Sequence, residues 1–238
     1  MADVKPALST RTALHRVAAH VLARRRFAVS GRFGLRGAPG GIATPSFGVD
    51  PETIRISGVT LIREVGGTST LRDLNGSTLR QLVGFVDVDL DEPFDCGPDS
   101  PPIGPLDTPL DLEVEKVMEI TNWFALAWLV LDDVLASLSG QSAVATIQLW
   151  PEHFDAATTV TVRTTDPVNL GFSPGDGFES EPYLYIGPWS SARPGDPSFW
   201  NAPFGAVRRR SEVLASPDPA GSCRSFLTEG LRRATAPN

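Results

Sequence analysis

The stretch that decides the fold runs from Leu112 to Leu138 and reads LEVEKVMEITNWFALAWLVLDDVLASL. Its apolar residues recur at helical spacing, which predicts one long helix, amphipathic at its start and buried further on, that ends near Gly140. The most apolar part, Trp123 to Leu131, stops after nine residues at Asp132 and Asp133. A bilayer span needs roughly 20 residues, so we expect a core helix and no membrane partner.

Short strands with glycine and proline turns flank this helix on both sides. Before it, the patterns predict a helix at Ser9–Ala23 and a second helix at Ser77–Val86. Between these helices they predict strands at Phe27–Leu35 and Ile42–Phe47 and a tight hairpin of Thr53–Ile56 with Val59–Arg63. After it, they predict four strands and a closing helix at Val144–Trp150, Thr158–Arg163, Val168–Phe172, Tyr183–Ile186 and Asp218–Ala234.

This order of elements predicts the α+β class, in which an antiparallel or mixed sheet is packed by one long central helix and by terminal helices. A helix followed by strands occurs twice, so two similar helix-plus-strands halves are one arrangement that the order allows. We expect a single domain over residues 1–238, with halves at about 1–86 and 112–238. An acidic, proline-rich connection, residues 87–111, joins them and is expected to be exposed.

Charge and cysteine content limit the partners and the compartment. The chain carries 28 acidic and 21 basic side chains, for a net charge of −7. That balance repels phosphate backbones, so we expect no nucleic-acid partner. Cys96 and Cys223 form neither a zinc pattern nor a disulfide framework, and no apolar secretion signal opens the chain. We therefore expect a soluble, cytoplasmic protein.

The first predicted helix carries histidines and arginines whose placement limits their roles. His15 and His20 lie five residues apart, about 140° around an α-helix, so we do not expect them to act as a ligand pair. The run Arg24–Arg26 follows the predicted helix end, where cations oppose the helix dipole favourably. The acidic connection is expected to neutralise these arginines, and a patch that binds an anion or a nucleic acid is the alternative interpretation.

Several short motifs of the second half carry a resemblance to a known family. They follow the long Trp-containing helix and are Ile147–Trp150, Glu152–Asp155, Gly171–Asp176, Glu181–Tyr185, Phe199–Trp200 and the closing helix with Phe226–Leu227. In this combination the chain resembles, over roughly residues 115–235, an uncharacterised bacterial family known as a domain of unknown function. The resemblance implies the fold class and implies no activity, ligand or catalytic residue.

The densest set of reactive side chains is the segment Glu152-His153-Phe154-Asp155. If its flanking segments pair as a hairpin, alternate side chains in the connection can point together. An imidazole beside carboxylates is a common arrangement for acid–base work, which makes His153, Glu152 and Asp155 the candidate catalytic residues. The alternative is that a polar turn simply contains polar residues.

A second acidic set, Asp176, Glu179 and Glu181, lies on a loop near several aromatic residues. Aromatic surfaces with a few polar groups are typical of small-ligand sites, although ordinary core packing explains the rings equally well. The candidate ligand-binding residues are therefore Trp150, Asp176, Glu181, Tyr183 and Tyr185. If this loop folds back on His153, oxygen ligands and one imidazole could bind a divalent cation, but no spacing matches a metal signature.

Motifs of common cofactors and mechanisms do not occur in the chain. No nucleotide-binding glycine loop or nucleophile elbow is found, and Asp87, Asp89 and Asp91 fail the calcium-loop pattern because Glu92 stands where glycine is needed. The sequence leaves the cofactor, if any, unknown. Two hypotheses stay open: a module that binds a small molecule or another protein through residues 150–200, or a hydrolase or metal-assisted enzyme with His153 as base.

Overall fold

The computed structural model of the chain describes residues 9–138, 142–162 and 166–235. Two antiparallel sheets and their helices make up the described chain, which confirms the predicted α+β class. The chain divides into two compact units. The first contains the described residues up to Asn122 together with Trp150–Phe154, and the second contains the remaining described residues from Trp123 onward. The single domain of two similar halves stays a prediction.

The first unit opens with a helix that is longer than predicted. It consists of α1 (Thr10–Val17), a π-helical turn (Ala18–Ala23) and α2 (Arg24–Ser30). Ser9 caps the start by accepting the Thr12 N–H at 3.3 Å, and Gly31 ends the helix with a φ of 66°. The predicted strand Phe27–Leu35 is wrong over its first residues, because no glycine or proline interrupts the helix before Gly31.

The first unit continues with a five-stranded antiparallel sheet in which the strand order follows the chain. Its strands are β1 (Arg36–Ala38), β2 (Gly41–Ala43), β3 (Glu52–Ser57), β4 (Thr60–Val65) and β5 (Thr68–Asp73), and the short helix α3 (Leu79–Phe85) follows. The predicted hairpin around Gly58 is confirmed, with Ser57 opposite Thr60. The prediction misses β5 because its mostly polar, exposed residues lack the alternation that marks a half-buried strand.

The proline-rich connection, residues 87–111, packs on the first helix through a row of side-chain donors. Arg16 donates to the carbonyls of Ile103 and Pro105, His20 donates to that of Pro101, and Arg24 donates to those of Leu90 and Glu92. These donors are four residues apart and share one side of the helix. Carbonyls outside helices and strands need donors from elsewhere, and arginine and histidine supply them. The connection is therefore bound to the helix, with Cys96 buried, and is not simply exposed.

The three consecutive arginines lie inside α2 and not at a helix C-terminus, because the helix continues to Ser30. Arg25 forms an ion pair with Glu52 at 3.0 Å, and Arg26 donates to the carbonyl of Gly34. For Arg24, burial lowers the pKa while the charges of acidic residues in the connection act in the opposite direction. All three arginine side chains therefore bind groups of the first unit itself.

The second unit contains the later part of the long helix α4 (Val114–Ser137), which confirms the central helix predicted from the sequence. Its antiparallel sheet has the order β11–β10–β9–β8–β6, and β7 also pairs with β8. The strands are β6 (Ser142–Val144), β7 (Gln148–Trp150), β8 (Asp155–Val162), β9 (Val168–Ser173), β10 (Tyr183–Pro188) and β11 (Ala206–Arg209), followed by α5 (Arg210–Leu214) and α6 (Pro219–Ala234). The single strand predicted at Val144–Trp150 is in fact two short ones.

One face of the second sheet packs against helices. The Trp123 and Phe172 rings lie 5.1 Å apart, and the Trp123 indole donates to the Ser173 carbonyl at 2.8 Å. On α6, Gly230 lies so close to Ile186 that an added Cβ would come within 2.7 Å of its Cδ1. Large apolar side chains from β9 and β10 thus fill this face. Because side chains alternate along a strand, the tyrosines and polar residues of these strands project from the opposite face.

By length and composition alone, α4 could cross a membrane, and 44% of its most apolar stretch is buried within the described chain. Core helices of soluble proteins satisfy the same test, so the observation is weak. The side chains of α4 differ in burial: Trp123 and Phe124 are almost fully buried, whereas Met118 and Leu129 are half-exposed. The expected lack of a membrane partner stays a prediction.

Candidate functional site

The candidate residues fall into both units, so each group is described within its own unit. Trp150, Glu152 and His153 belong to the first unit. The remaining candidates belong to the second unit and are Asp155, Asp176, Glu181, Tyr183 and Tyr185. Each group has its own geometry and its own chemical capacity.

In the first unit, the turn Trp150–Phe154 is anchored on α1. The Phe154 N–H donates to the Trp150 carbonyl at 2.7 Å, and Phe154 has a φ of 58°, in the left-handed region that bulky residues rarely adopt. Its buried ring stacks on the His15 imidazole, with centroids 5.0 Å apart and an angle of 11° between the planes. His15 Nε2 also lies 2.8 Å from the Pro151 carbonyl oxygen. Packing therefore holds a strained backbone in place beside His153.

His153 lies between two carboxylates. Its Nδ1 is 3.7 Å from Asp99 Oδ2 and its Nε2 is 3.7 Å from Glu152 Oε2. One ligand atom from each of these three residues lies within 4.8 Å of the others. We call Asp99, Glu152 and His153 the imidazole–carboxylate triad. Its donor types suit a divalent cation or an acid–base pair.

The loop that carries Asp99 is shaped to admit Glu152. Gly97 has a φ of 137°, and a Cβ there would lie 2.0 Å from the Glu152 carboxyl carbon. The Asp99 N–H reaches Glu152 Oε1 at 3.3 Å. Glycine at position 97 therefore lets the carboxylate approach the backbone, which no larger residue would permit without displacing it. Glu152 is half-buried, whereas Asp99 and His153 are exposed.

The two histidines of the first helix serve as donors to backbone carbonyls. A carbonyl can only accept, so the Nε2 of His15 and of His20 carries the hydrogen and donates to Pro151 and Pro101 respectively. Burial lowers the pKa of His15 to about 4 and also lowers that of His20, so both rings are neutral at pH 7. The 140° offset expected for a regular α-helix does not apply, because Ala18–Ala23 form a wider π-helical turn.

In the second unit, the outer face of the sheet carries tyrosines and small residues in register. Tyr183 on β10 is flanked by Ser173 on β9 and Arg209 on β11. Tyr185, two residues on, is opposite Gly171, where an added Cβ would lie 2.5 Å from the phenol oxygen. The Tyr185 ring therefore lies across the glycine, which has no side chain to lift it off the sheet.

Each tyrosine donates its phenol hydrogen to an aspartate. The Tyr183 hydroxyl is 2.5 Å from Asp176 Oδ2, and the Tyr185 hydroxyl donates to Asp155 Oδ2. Burial and the neighbouring carboxylates raise the pKa of both tyrosines, so the phenols keep their hydrogens at neutral pH. Asp155 is itself buried. The result is a pair of tyrosine–aspartate hydrogen bonds on one face of the sheet.

Two phenylalanines complete a closed ring of four aromatic side chains. Centroid distances are 5.9 Å for Phe178–Tyr183, 6.2 Å for Tyr183–Tyr185, 6.1 Å for Tyr185–Phe204 and 5.1 Å for Phe204–Phe178. We call these four residues the aromatic cluster. Tyr183 is buried, but Phe178 is 49% and Phe204 37% exposed. The cluster thus presents apolar rings to solvent above two carboxylates.

The acidic loop next to the cluster is largely engaged by its own surroundings. Asp176 Oδ1 accepts the N–H groups of Phe178 and Glu179 at 2.8 and 3.1 Å. Glu179 pairs with Arg209 at 2.6 Å, and Glu181 accepts the Ser211 N–H at 2.5 Å. These bonds position Phe178 and brace the loop, so Asp176 and Glu181 stabilise the site's shape.

Comparison with known proteins does not assign the chain to a family. No protein-family model, curated protein or solved structure matches the chain. The resemblance to an uncharacterised bacterial family therefore stays a prediction, and function must be argued from the residues.

Sequence reasoning misses Asp99, Phe178 and Phe204. Asp99 lies 53 residues before Glu152 in the chain, within a connection interpreted as a solvated linker. The phenylalanines stand in polar, glycine-containing loops, where a large apolar residue is out of place unless it packs or binds. This contrast between a large apolar residue and its polar neighbours is the one signal that the sequence offers for the two phenylalanines.

Proposed function

We propose that this protein is a binding module that takes a small molecule at the aromatic cluster of its second unit. The observation that supports the proposal is the pair of half-exposed rings, Phe178 and Phe204, closed over two tyrosine–aspartate hydrogen bonds. Small-ligand sites combine aromatic walls with a few oriented polar groups, and this combination occurs here between two strand tyrosines and two loop phenylalanines. The soluble, cytoplasmic location belongs to the proposal, and two free, buried cysteines are compatible with it.

The site favours binding over catalysis because its polar groups are held in place by one another. A catalytic acid or base needs a hydrogen that it can exchange near neutral pH. The tyrosines have raised pKa values and donate to carboxylates, and Asp176 accepts two backbone N–H groups at Oδ1 and the Tyr183 hydroxyl at Oδ2. Preorganised groups of this kind orient a ligand without reacting with it.

A thermal-shift screen against metabolites, followed by calorimetry on the hits, tests the proposal. We expect at least one compound to raise Tm in the wild type and to lose most of that effect in Phe204→Ala. The control is Leu214→Ala, which removes a comparably exposed apolar side chain, 48% accessible, on α5. A full response in Phe204→Ala, or none with any compound in the wild type, would contradict small-molecule binding at the cluster.

A second candidate function is metal-assisted chemistry at the imidazole–carboxylate triad. The observation that favours it is the convergence of one imidazole and two carboxylates within 4.8 Å in the first unit. Three protein ligands with an open position are the arrangement of catalytic zinc sites, and a small closure of the three side chains would suit tetrahedral coordination. A zinc ion held by Asp99, Glu152 and His153 would supply Lewis-acid chemistry suited to hydrolysis.

Calorimetric titration with Zn²⁺ and Mn²⁺ tests this second candidate. We expect one site per chain, weakened at least about tenfold in His153→Ala and in Glu152→Gln, because each loses a direct ligand. Asp111→Asn, which changes an exposed carboxylate elsewhere in the first unit, should bind as the wild type does. Equal affinity in His153→Ala would exclude the triad as the binding site.

A further inference from the structure

We infer that the ligand of the aromatic cluster is an organic cation, such as an alkylammonium compound, bound against the outer ring faces of Phe178 and Phe204. This inference rests on the proposed binding function and names the class of ligand. It follows from the hydrogen-bonding capacity of the site, from its charge, and from the way other rings of the same unit are used.

Neither phenol of the aromatic cluster has a hydrogen left to donate to a ligand. The phenol hydrogens of Tyr183 and Tyr185 are both committed to aspartates. The phenol oxygens can still accept a hydrogen bond. A ligand that matches this set must bring donors or positive charge. An anion would find no free donor on the phenols.

Asp155 and Asp176 bring negative charge to the tyrosines of the cluster. Arg193 donates to the Phe204 carbonyl at 3.2 Å, but its guanidinium lies over the Trp200 ring. Asp155 and Asp176 are held beneath neutral phenols, and Arg209, next to Tyr183 in the sheet, is drawn to Glu179 at 2.6 Å. The chain's lysines, Lys5 and Lys116, both precede the second unit in sequence. A cation above the rings would therefore meet the field of two carboxylates through a partly desolvated environment.

Other aromatic rings of the second unit already have a cation of their own. Three arginines lie over rings at 5.6, 4.9 and 4.8 Å: Arg193 over Trp200, Arg208 over Phe226 and Arg233 over Phe199. Among the described residues, no such partner lies over a ring of the aromatic cluster. The face of an aromatic ring attracts cations through its quadrupole. The cluster therefore offers half-exposed rings that have no cation of their own to a cation from solution.

The experiment compares two probes of the same shape that differ in charge. Choline and its neutral isostere 3,3-dimethylbutan-1-ol are titrated into isotopically labelled protein, and amide shifts near Phe178 and Phe204 report the affinity. We expect choline to bind about tenfold more tightly, since a cation over several rings gains roughly that factor. The preference should shrink at high salt, because screening weakens the attraction of the carboxylates.

Two variants test the contributions of a ring face and of a charge to choline binding, and a third variant is the control. Phe204→Leu keeps apolar volume but removes a π face, and Asp155→Asn keeps shape but removes a charge; each should cut the choline preference several-fold. Leu214→Ala should retain it. Equal binding of the two probes, or an unchanged preference in Phe204→Leu, would overturn the inference. If neutral compounds from the thermal-shift screen bind at the cluster and choline does not, the binding function stands and the cationic class is wrong.

Discussion

Replacing His15 with glutamine removes one titrating group from the contact between α1 and the Trp150–Phe154 turn. The wild-type imidazole donates from Nε2 to the Pro151 carbonyl and stacks on Phe154. Glutamine carries an amide nitrogen that can reach a similar position, so a donor is kept while the proton equilibrium is lost. We expect His15→Gln to be less stable than the wild type at pH 7, because the ring stack is gone.

The difference in free energy of unfolding between the wild type and His15→Gln should become smaller as the pH falls. In the unfolded chain the imidazole takes up a proton near pH 6.5, whereas in the folded protein burial delays this to about pH 4. Between these values the unfolded state binds more protons, so acid reduces the free energy of unfolding of the wild type. At about 1.4 kcal/mol per pH unit, His15 accounts for a loss of up to about 3 kcal/mol by pH 4.

Urea unfolding of both proteins between pH 7.5 and pH 4 measures this effect. The carboxylates and His20 titrate in both chains, so their contributions largely cancel in the difference. We expect the wild-type advantage to decline below pH 6.5 with a slope approaching 1.4 kcal/mol per pH unit. Two stability curves that run parallel over this range would show that His15 is not held neutral, and the argument from burial would be refuted.

Three further substitutions test contacts that the structure makes specific. Arg16→Met removes the donor to two carbonyls of the connection, and we expect a loss of about 2–3 kcal/mol in urea unfolding because hydrogen bonds from a charged group are lost. Gly171→Ala should displace the Tyr185 ring, lower Tm and abolish ligand binding at the aromatic cluster, as measured by calorimetry. Gly97→Ala should cost about 1–3 kcal/mol through its positive φ and should expel the Glu152 carboxylate, weakening any metal binding in parallel.

Matched controls exist for each of these substitutions. Arg80→Met breaks the exposed ion pair with Asp107 and should leave stability close to that of the wild type, because solvent screens such pairs. Gly177→Ala and Gly84→Ala place a Cβ in open space without a positive φ, so both should leave stability close to that of the wild type. If the controls lose as much as the test variants, the contacts assigned to Arg16, Gly171 and Gly97 do not carry the effects.

Periodic patterns predicted those elements whose signals are local. The α4 helix, the hairpin around Gly58 and the closing helix α6 were all predictable, because apolar spacing and turn residues are short-range properties. The polar edge strand β5 could not be predicted by the same method, since an exposed strand is defined by its pairing with β4. The extension of the first helix to Ser30 was missed because glycines further along suggested strands.

What the sequence determined by itself was the α+β class and the local candidates, Glu152 with His153 and Tyr183 with Tyr185. Only the tertiary structure decided their partners, because Asp99 and Phe204 reach these residues across long stretches of chain. Residue type specifies what a side chain can donate, accept or stack upon. Which atoms fill that capacity depends on packing between distant segments, such as the glycine at position 97 that admits a carboxylate and the one at 171 that carries a phenol.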